Sequence, residues 1–494
     1  MPTNSGYAES LIFLYVVSFM ISYFPKFFSS RAIYLYLALL LVVTALFGHP
    51  MKWYWWLFGV VEVIGFFYLS SQLTIEWGRC TDRLFEKKLF STSLIIRVVY
   101  VVFSYFFYIE VSGDFMGFGA ADANTYHLLS IRGAEMISSG QFNFKEQFDS
   151  LGFFSRGVDI SDMGFPLLQS IVYFFSGNSR IISRLVNCLF SACTALYVYR
   201  FSKRNFGENI ARMTAVFFML MPNFIYYCSV QLKETVMLFI TVMFVECADR
   251  LIHEKKIELK RMLFVLSYGL LMFFFRAVLC YVLFISLFVA LVLTSSRLAR
   301  RGRNLLFGLV TVLFIGVVWG NLIREEIVWG QYQDLQTDQQ NNLEWRAERE
   351  GGNQLARYAG SAVFAPLIFT IPFPTMVDIP DQENQQMIHG GNYVKNITSF
   401  FTIIALISLL MTRKWKEHVL PAAFFIGYLV VLVFSNYAQS ERFHIPILPF
   451  SLMFAAYGVS LITNKHKLWF QYWLLLIFVA NIGWAWFKLR GRGM

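Results

Sequence analysis

The feature that most constrains this chain is the return, again and again, of an apolar run of bilayer length. Such runs occupy 11–28, 32–49, 53–76, 89–110, 180–200, 208–228, 231–250, 262–276, 277–296, 305–322, 396–412, 418–435, 443–462 and 468–487. Most are close to the roughly 20 residues that a helix needs to cross a hydrocarbon core. The chain is 494 residues long, and hydrophobic residues make up 57% of it against 15% charged. One soluble core of that size has no way to hide so much apolar surface. The expected fold is an all-α polytopic membrane protein of roughly 13–14 transmembrane helices, with two long extracytoplasmic segments.

Charge sets the orientation. The net charge is +11, but the basic residues sit in short linkers beside apolar runs. They read as topology signals and lipid-headgroup contacts rather than as a nucleic-acid surface. The linkers 26–31, 79–88, 200–204, 253–261, 297–303, 413–416 and 465–467 all fall on one side in a single threading. The positive-inside rule makes that side cytoplasmic. The N-terminus and the polar segments 111–163 and 323–395 then lie outside. Lys488, Arg490 and Arg492 run against the rule, since the threading puts them outside as well. The first run follows Glu9 with no Lys or Arg before it, and reads as a retained helix rather than a signal peptide.

Two apolar stretches are too short or too broken to cross. These are 164–176, which opens Gly-Phe-Pro, and 361–376, which carries Pro366, Pro372 and Pro374; both read as interfacial or re-entrant. The expected organisation is N-terminal transmembrane helices at 1–110, a first extracytoplasmic loop with interfacial helices at 111–179, and a central bundle at 180–322. An extracytoplasmic lid with a re-entrant segment at 323–395 and C-terminal helices at 396–494 complete it. Arg346, Arg349, Arg357, His389 and Lys395 belong to the lid and read mostly as solvated. Asn396-Ile397-Thr398 has the pattern of a glycosylation sequon. There is no fixed-period repeat or separate soluble domain. The six cysteines form no CxxC and suit neither a disulfide framework nor a zinc site.

Ionisable residues at the outer ends of spans are the candidates for chemistry, because charge at membrane depth is costly unless it is paired or used. Asp122, in Ala-Asp-Ala-Asn-Thr-Tyr-His, reads as a general base on a sugar hydroxyl, with Tyr126 and His127 about one helical turn on. It also reads as the cap of a surface helix over 124–138. Asp162, near Asp159, ends the same loop. It either starts a turn before Gly164 and Pro166, or joins Asp122 as base, orienting group or ligand of a divalent cation. Lys233 and Glu234 form a very short outer turn: a phosphate contact and its positioning partner, or a structural pair. Arg276 either snorkels to headgroups or meets a phosphate. Arg442 and His444, in Glu-Arg-Phe-His-Ile-Pro, stand at a span entrance where an arginine suits a phosphate leaving group. No P-loop, GxGxxG or HExxH is present, and no matched pair of broken spans suggests a transporter.

Taken in order, several stretches resemble the GT-C superfamily of membrane glycosyltransferases, in particular bacterial relatives of the protein O-mannosyltransferase and aminoarabinose-transferase type. They are Asp122 to Tyr126 with Gly140, Gly164-Phe-Pro166-Leu-Leu, Gly177-Asn-Ser-Arg180, Arg184 to Asn187, and Arg204-Asn-Phe-Gly207. Met221-Pro222, Leu232-Lys233-Glu234, Arg442-Phe-His-Ile-Pro446-Ile-Leu-Pro449 and Ala455-Ala456-Tyr-Gly458 complete the set. The resemblance implies a sugar donor linked to polyprenyl phosphate or diphosphate. It implies an acidic residue of the first outer loop as base, which falls on Asp122, and basic residues around the lipid phosphate, which fall on Lys233 and Arg442. Glu234 stands where relatives carry a similar acid. Two departures are the additional spans before the acidic loop and the alanines flanking Asp122.

The expected function is therefore transfer of a sugar from a lipid carrier to a hydroxyl at the outer face of a bacterial inner membrane, in cell-envelope glycan assembly. Its partners would be the lipid-linked donor, a glycan, lipid or protein acceptor, and membrane lipids, with no nucleic acid. A divalent cation is the possible cofactor. The alternatives are an O-antigen or exopolysaccharide repeat-unit polymerase, and a lipid-linked-sugar flippase or transporter.

Overall fold

The computed structural model describes residues 21–114, 116–118, 121–151, 160–253, 258–293, 352–355, 365–435 and 438–494, with positions 308, 344, 347 and 348 between them. Among these residues the fold is all helical. In hydrocarbon every backbone N–H and C=O must find a partner within the protein, and a helix does this locally. The helices are α1 (Lys26–Phe47), α2 (Trp53–Glu76), α3 (Asp82–Ser112), α4 (Ala121–Ser139), α5 (Phe144–Ser150) and α6 (Gly164–Ser176). Then come α7 (Arg180–Phe206), α8 (Glu208–Leu220), α9 (Pro222–Ser229), α10 (Glu234–His253), α11 (Leu259–Phe273) and α12 (Ala277–Leu293). The C-terminal part holds α13 (Glu383–Met387), α14 (His389–Met411), α15 (Val419–Val433), α16 (Glu441–His444), α17 (Leu448–Ser460) and α18 (Asn464–Arg490).

Among the described residues six helices (α1, α2, α3, α7, α14 and α18) are long and apolar enough to cross a membrane. The pair α8 and α9 makes a seventh, bent by 43°. The bend has a cause in the sequence: Pro222 occupies the first position of α9, where its missing N–H costs nothing, and it cannot continue α8. Each expected run from 32–49 to 468–487 coincides with one helix or with two in succession, except 305–322, of which only position 308 is described. The beginning of the 11–28 run lies outside the described residues. Its end differs from expectation, because residues 26–31 are the first turns of α1 rather than a linker.

Among the described residues, the basic linkers 79–88, 200–204 and 413–416 meet on one face. Arg200 and Lys203 near the end of α7 pair with Glu86 and Asp82 at the start of α3, at 2.8 and 2.5 Å. Arg204 reaches Asp249 near the end of α10 at 2.6 Å. The ring of His418 stacks on Phe206, centroids 4.1 Å apart, and brings in the 413–416 linker. Lys488 lies elsewhere: its Nζ bonds Gln382 and Gln385 at the opposite end of the bundle. The exception to the charge rule is thus a residue with partners of its own on the far side.

The core of the C-terminal half is α14, which packs against α2 and α17. The approach to α17 is close, and a Cβ at Gly458 would stand 1.9 Å from the carbonyl oxygen of Phe401. Beside α14 the chain over 368–377 is buried yet not helical, as a re-entrant segment would be. Its carbonyls are taken by side chains of α14. Ser399 donates to Phe369 O at 2.6 Å, Asn396 to Thr370 O and Pro372 O at 2.5 and 3.0 Å, and Lys395 to Ile371 O. This corrects one expectation, since His389 and Lys395 are buried within a helix rather than solvated. Asn396 is buried there too. Arg346, Arg349 and Arg357, like Asp159, lie outside the described residues.

Candidate active site

The candidate residues arrive from five places at the end of the bundle opposite the basic face. Asp122 stands in the first turn of α4 and Tyr126 one turn later. Asp162 closes a 3-10 turn, Ile160–Asp162, just before α6. Glu234 opens α10, with Lys233 immediately ahead. Arg276 sits in the tight turn between α11 and α12, and Arg442 in α16. Local devices hold these pieces together. The N–H of Gly164 donates to Phe274 O at 2.8 Å, tying the start of α6 to the turn that bears Arg276. His127 bonds the hydroxyl of Tyr173 at 2.7 Å, and Gln231 donates to the same hydroxyl at 2.6 Å. That relay links α4, α6 and the turn before Lys233.

Two ion-paired groups result. Arg442 donates through Nε to Glu234 and through a terminal nitrogen to Asp122. Lys233 donates to Asp162. The carboxylates differ in access: the side chain of Glu234 is 0% exposed, that of Asp122 58% and that of Asp162 42%. Glu234 is an anchor for Arg442, and Asp122 is a carboxylate that a substrate can reach. Tyr126 is buried edge-on to Phe165 and near both aspartates. Arg276 lies over the ring of Phe443, 4.5 Å from its centroid, close to Lys233.

Burial and pairing oppose each other here. Burial works against the charge on Arg442, but Glu234 and Asp122 more than offset it and raise its pKa. Lys233 is the reverse case: burial lowers its pKa despite the pull of Asp162. Burial, then Asp162, keeps the Tyr126 phenol protonated well above its ordinary range. Burial pushes His127 down to about 4, assisted by Arg180, so it works as a neutral link.

Beside Asp122 and Arg442 is a cavity of about 240 Å³, which Lys233, Asp162 and Arg276 do not line. Asp122 and Arg442 form one side. Tyr226 and Tyr227 of α9, Gln385 of α13 and Glu441 of α16 complete it. The structure places His444 apart from it. The His444 ring donates from Nε2 to Ala438 O at 2.8 Å and accepts from Lys395 at its Nδ1, 2.7 Å away. It supports the buried layer behind Arg442 rather than facing a substrate. Asp122 and Asp162 each hold a basic side chain, and no group of three metal-ligating side chains occurs among the described residues. Tyr226, Tyr227, Gln385 and Glu441 were not singled out from the sequence. Glu441 carried a signal, since it adjoins Arg442 at a span entrance; Gln385 lay unmarked in a Gln/Asn-rich stretch.

Residues 163–333 match the sequence model of the Alg9-like mannosyltransferase family, membrane glycosyltransferases of the GT-C fold. The match spans about a third of the chain and marks a membrane glycosyltransferase similar to the GT-C families. No curated protein matches it. The matched stretch of this glycosyltransferase includes Lys233, Glu234 and Arg276. Asp122 and Arg442, which complete the constellation, come from outside that stretch.

Proposed function

We propose that this glycosyltransferase moves a single sugar, mannose by analogy with the matched family, from a polyprenyl-phosphate or polyprenyl-diphosphate carrier to an acceptor hydroxyl. The reaction takes place at the extracytoplasmic face of a bacterial inner membrane, in cell-envelope glycan assembly. Support for the face comes from the basic linkers, which gather at the end of the bundle opposite Asp122. Support for a single sugar comes from cavity size. About 240 Å³ lies near the lower edge of the roughly 300–1,000 Å³ of ordinary small-molecule sites, a size that suits one sugar better than an oligosaccharide repeat unit.

The observation that carries the reading is Arg442 spanning an exposed carboxylate and a buried one. Asp122 takes the proton of the acceptor hydroxyl as its oxygen attacks the anomeric carbon. The bond from that carbon to the carrier's phosphate oxygen breaks, and the configuration inverts in the single displacement. Negative charge develops on the departing lipid phosphate, which Arg442 meets at the cavity and which Lys233 and Arg276, paired beside it, help to neutralise. Arg442 spends only part of its five-donor fork on the two carboxylates, and Glu234 keeps it in place. Asp162 orients Lys233 in the same way. The organisation follows the segments 1–110, 111–179, 180–322, 323–395 and 396–494, with the lid boundary drawn back to His389.

The test is transfer by purified, lipid-reconstituted protein offered polyprenyl-linked sugars and candidate acceptors. Transfer with release of the lipid phosphate supports the reading. Movement of intact lipid-linked sugar across the bilayer without transfer would replace it with the flippase.

A further inference from the structure

The cavity lining carries two chemically different sets of groups. Arg442 gives it positive charge suited to a phosphate. Glu441 and Gln385 line it as well, and a carboxyl group would repel a phosphate. Gln385 has a fixed orientation. Lys488 at the end of α18 donates to its amide oxygen at 2.8 Å, and Thr375 donates to the same oxygen at 3.3 Å. An ammonium group only donates, so the amide oxygen is identified and the NH2 is left as the donor offered to a ligand. Lys488 also holds Gln382 at 2.9 Å and places its charge near Glu441. Glu441 is fixed in turn by the hydroxyl of Tyr227. A donor amide and an acceptor carboxyl beside two tyrosine rings match a polyhydroxylated ring, which offers hydroxyls to both and an apolar face to the aromatics.

Resting on the transferase reading above, we propose that Gln385 and Glu441 read two hydroxyls of the transferred sugar. Lys488, from the last helix, is the positioning residue: it bonds Gln385 and lends its charge to Glu441. A basic residue at the end of α18 thereby acts on sugar selectivity without touching the sugar.

The experiment uses undecaprenyl-phosphate mannose and its 2-, 3-, 4- and 6-deoxy analogues. Binding is read by thermal shift and transfer by product formation, on wild type, Gln385→Met, Glu441→Met, Lys488→Met and Lys488→Arg. Wild type is expected to disfavour two of the analogues by about tenfold each, the worth of one hydrogen bond. Gln385→Met should erase the penalty for one analogue and Glu441→Met that for the other. Lys488→Met should weaken both penalties and Lys488→Arg restore them. Unchanged ratios with all donors weakened alike would reduce Lys488 to a structural role and overturn the proposal. A flat deoxy series in the wild type would overturn it while leaving transfer intact. Discrimination in binding without any transfer would keep the subsite and sink the transferase reading instead.

Discussion

Arg442 holds one carboxylate in the protein interior and another at the cavity, so its removal has two separable effects. Arg442→Leu leaves Glu234 buried and unpaired, which costs about 3–5 kcal/mol for a pair broken on one side. A lower midpoint of thermal unfolding in detergent is the expected result. The double variant Arg442→Leu with Glu234→Leu should regain most of that stability and none of the transfer. Lys233 gives the pH dependence. Burial lowers its pKa below the ordinary 10.5, so the folded state releases this proton before the unfolded state does. Between the two pKa values stability therefore rises with pH, as the cost of the buried charge fades. Transfer moves the other way, since the lipid phosphate loses a cation. Its alkaline decline should begin below the ordinary lysine range, and Lys233→Arg should move that decline upward in a pH–rate profile. These residues were legible in the sequence because charge between apolar runs is rare and expensive. Their pairing was not: Lys233 and Asp162 are 71 positions apart, Arg442 and Asp122 320, and no local rule chooses among carboxylates at such separations.

At the scale of elements, the site depends on how the short helix α6 meets the turn after α11. Gly164 sits where a Cβ would come 2.8 Å from Phe274 O, the atom that accepts its own N–H. Gly164→Ala should push α6 away and carry Asp162 off Lys233, two residues upstream of the clash. A displacement on the order of 1 Å costs about 100-fold in rate, so transfer should fall by that order while the unfolding midpoint changes little. Gly458→Ala is the contrasting case: it forces α14 and α17 apart in the core and should cost about 1–3 kcal/mol of stability, read as a lower unfolding midpoint. The sequence marked 164–176 and 361–376 as unable to cross, from length and proline content. It did not show how the irregular backbone is satisfied. Ser399, Asn396 and Lys395 of α14 serve carbonyls over 369–372, and that match exists only once α14 starts at His389 and turns this face toward the segment.

For the molecule as a whole, the two ends differ in charge and in purpose. One end binds basic linkers to Asp82, Glu86 and Asp249. The other places Asp122 and Arg442 at the cavity, with the Lys233–Asp162 pair at the same end. In a cysteine-free background, Lys87→Cys should react with a membrane-impermeant thiol reagent only from the cytoplasmic side, and Asn143→Cys and Arg490→Cys only from outside. Reaction of Arg490→Cys with Lys87→Cys would separate the last helix from the site. The helical class and most helix positions were readable from apolar run length. The place of the C-terminus was obscured by its charge, because Lys488 answers to Gln382 and Gln385 rather than to the membrane potential or lipid headgroups. The central claim is that Asp122 is the base of a sugar transfer. Its most direct test is single-turnover transfer from a lipid-linked sugar by reconstituted wild type and Asp122→Asn, with donor binding measured in parallel. The expected rate for the variant is lower by about 10²–10⁴-fold, with donor binding kept. Asp122→Asn protein that transfers at the wild-type rate would contradict it.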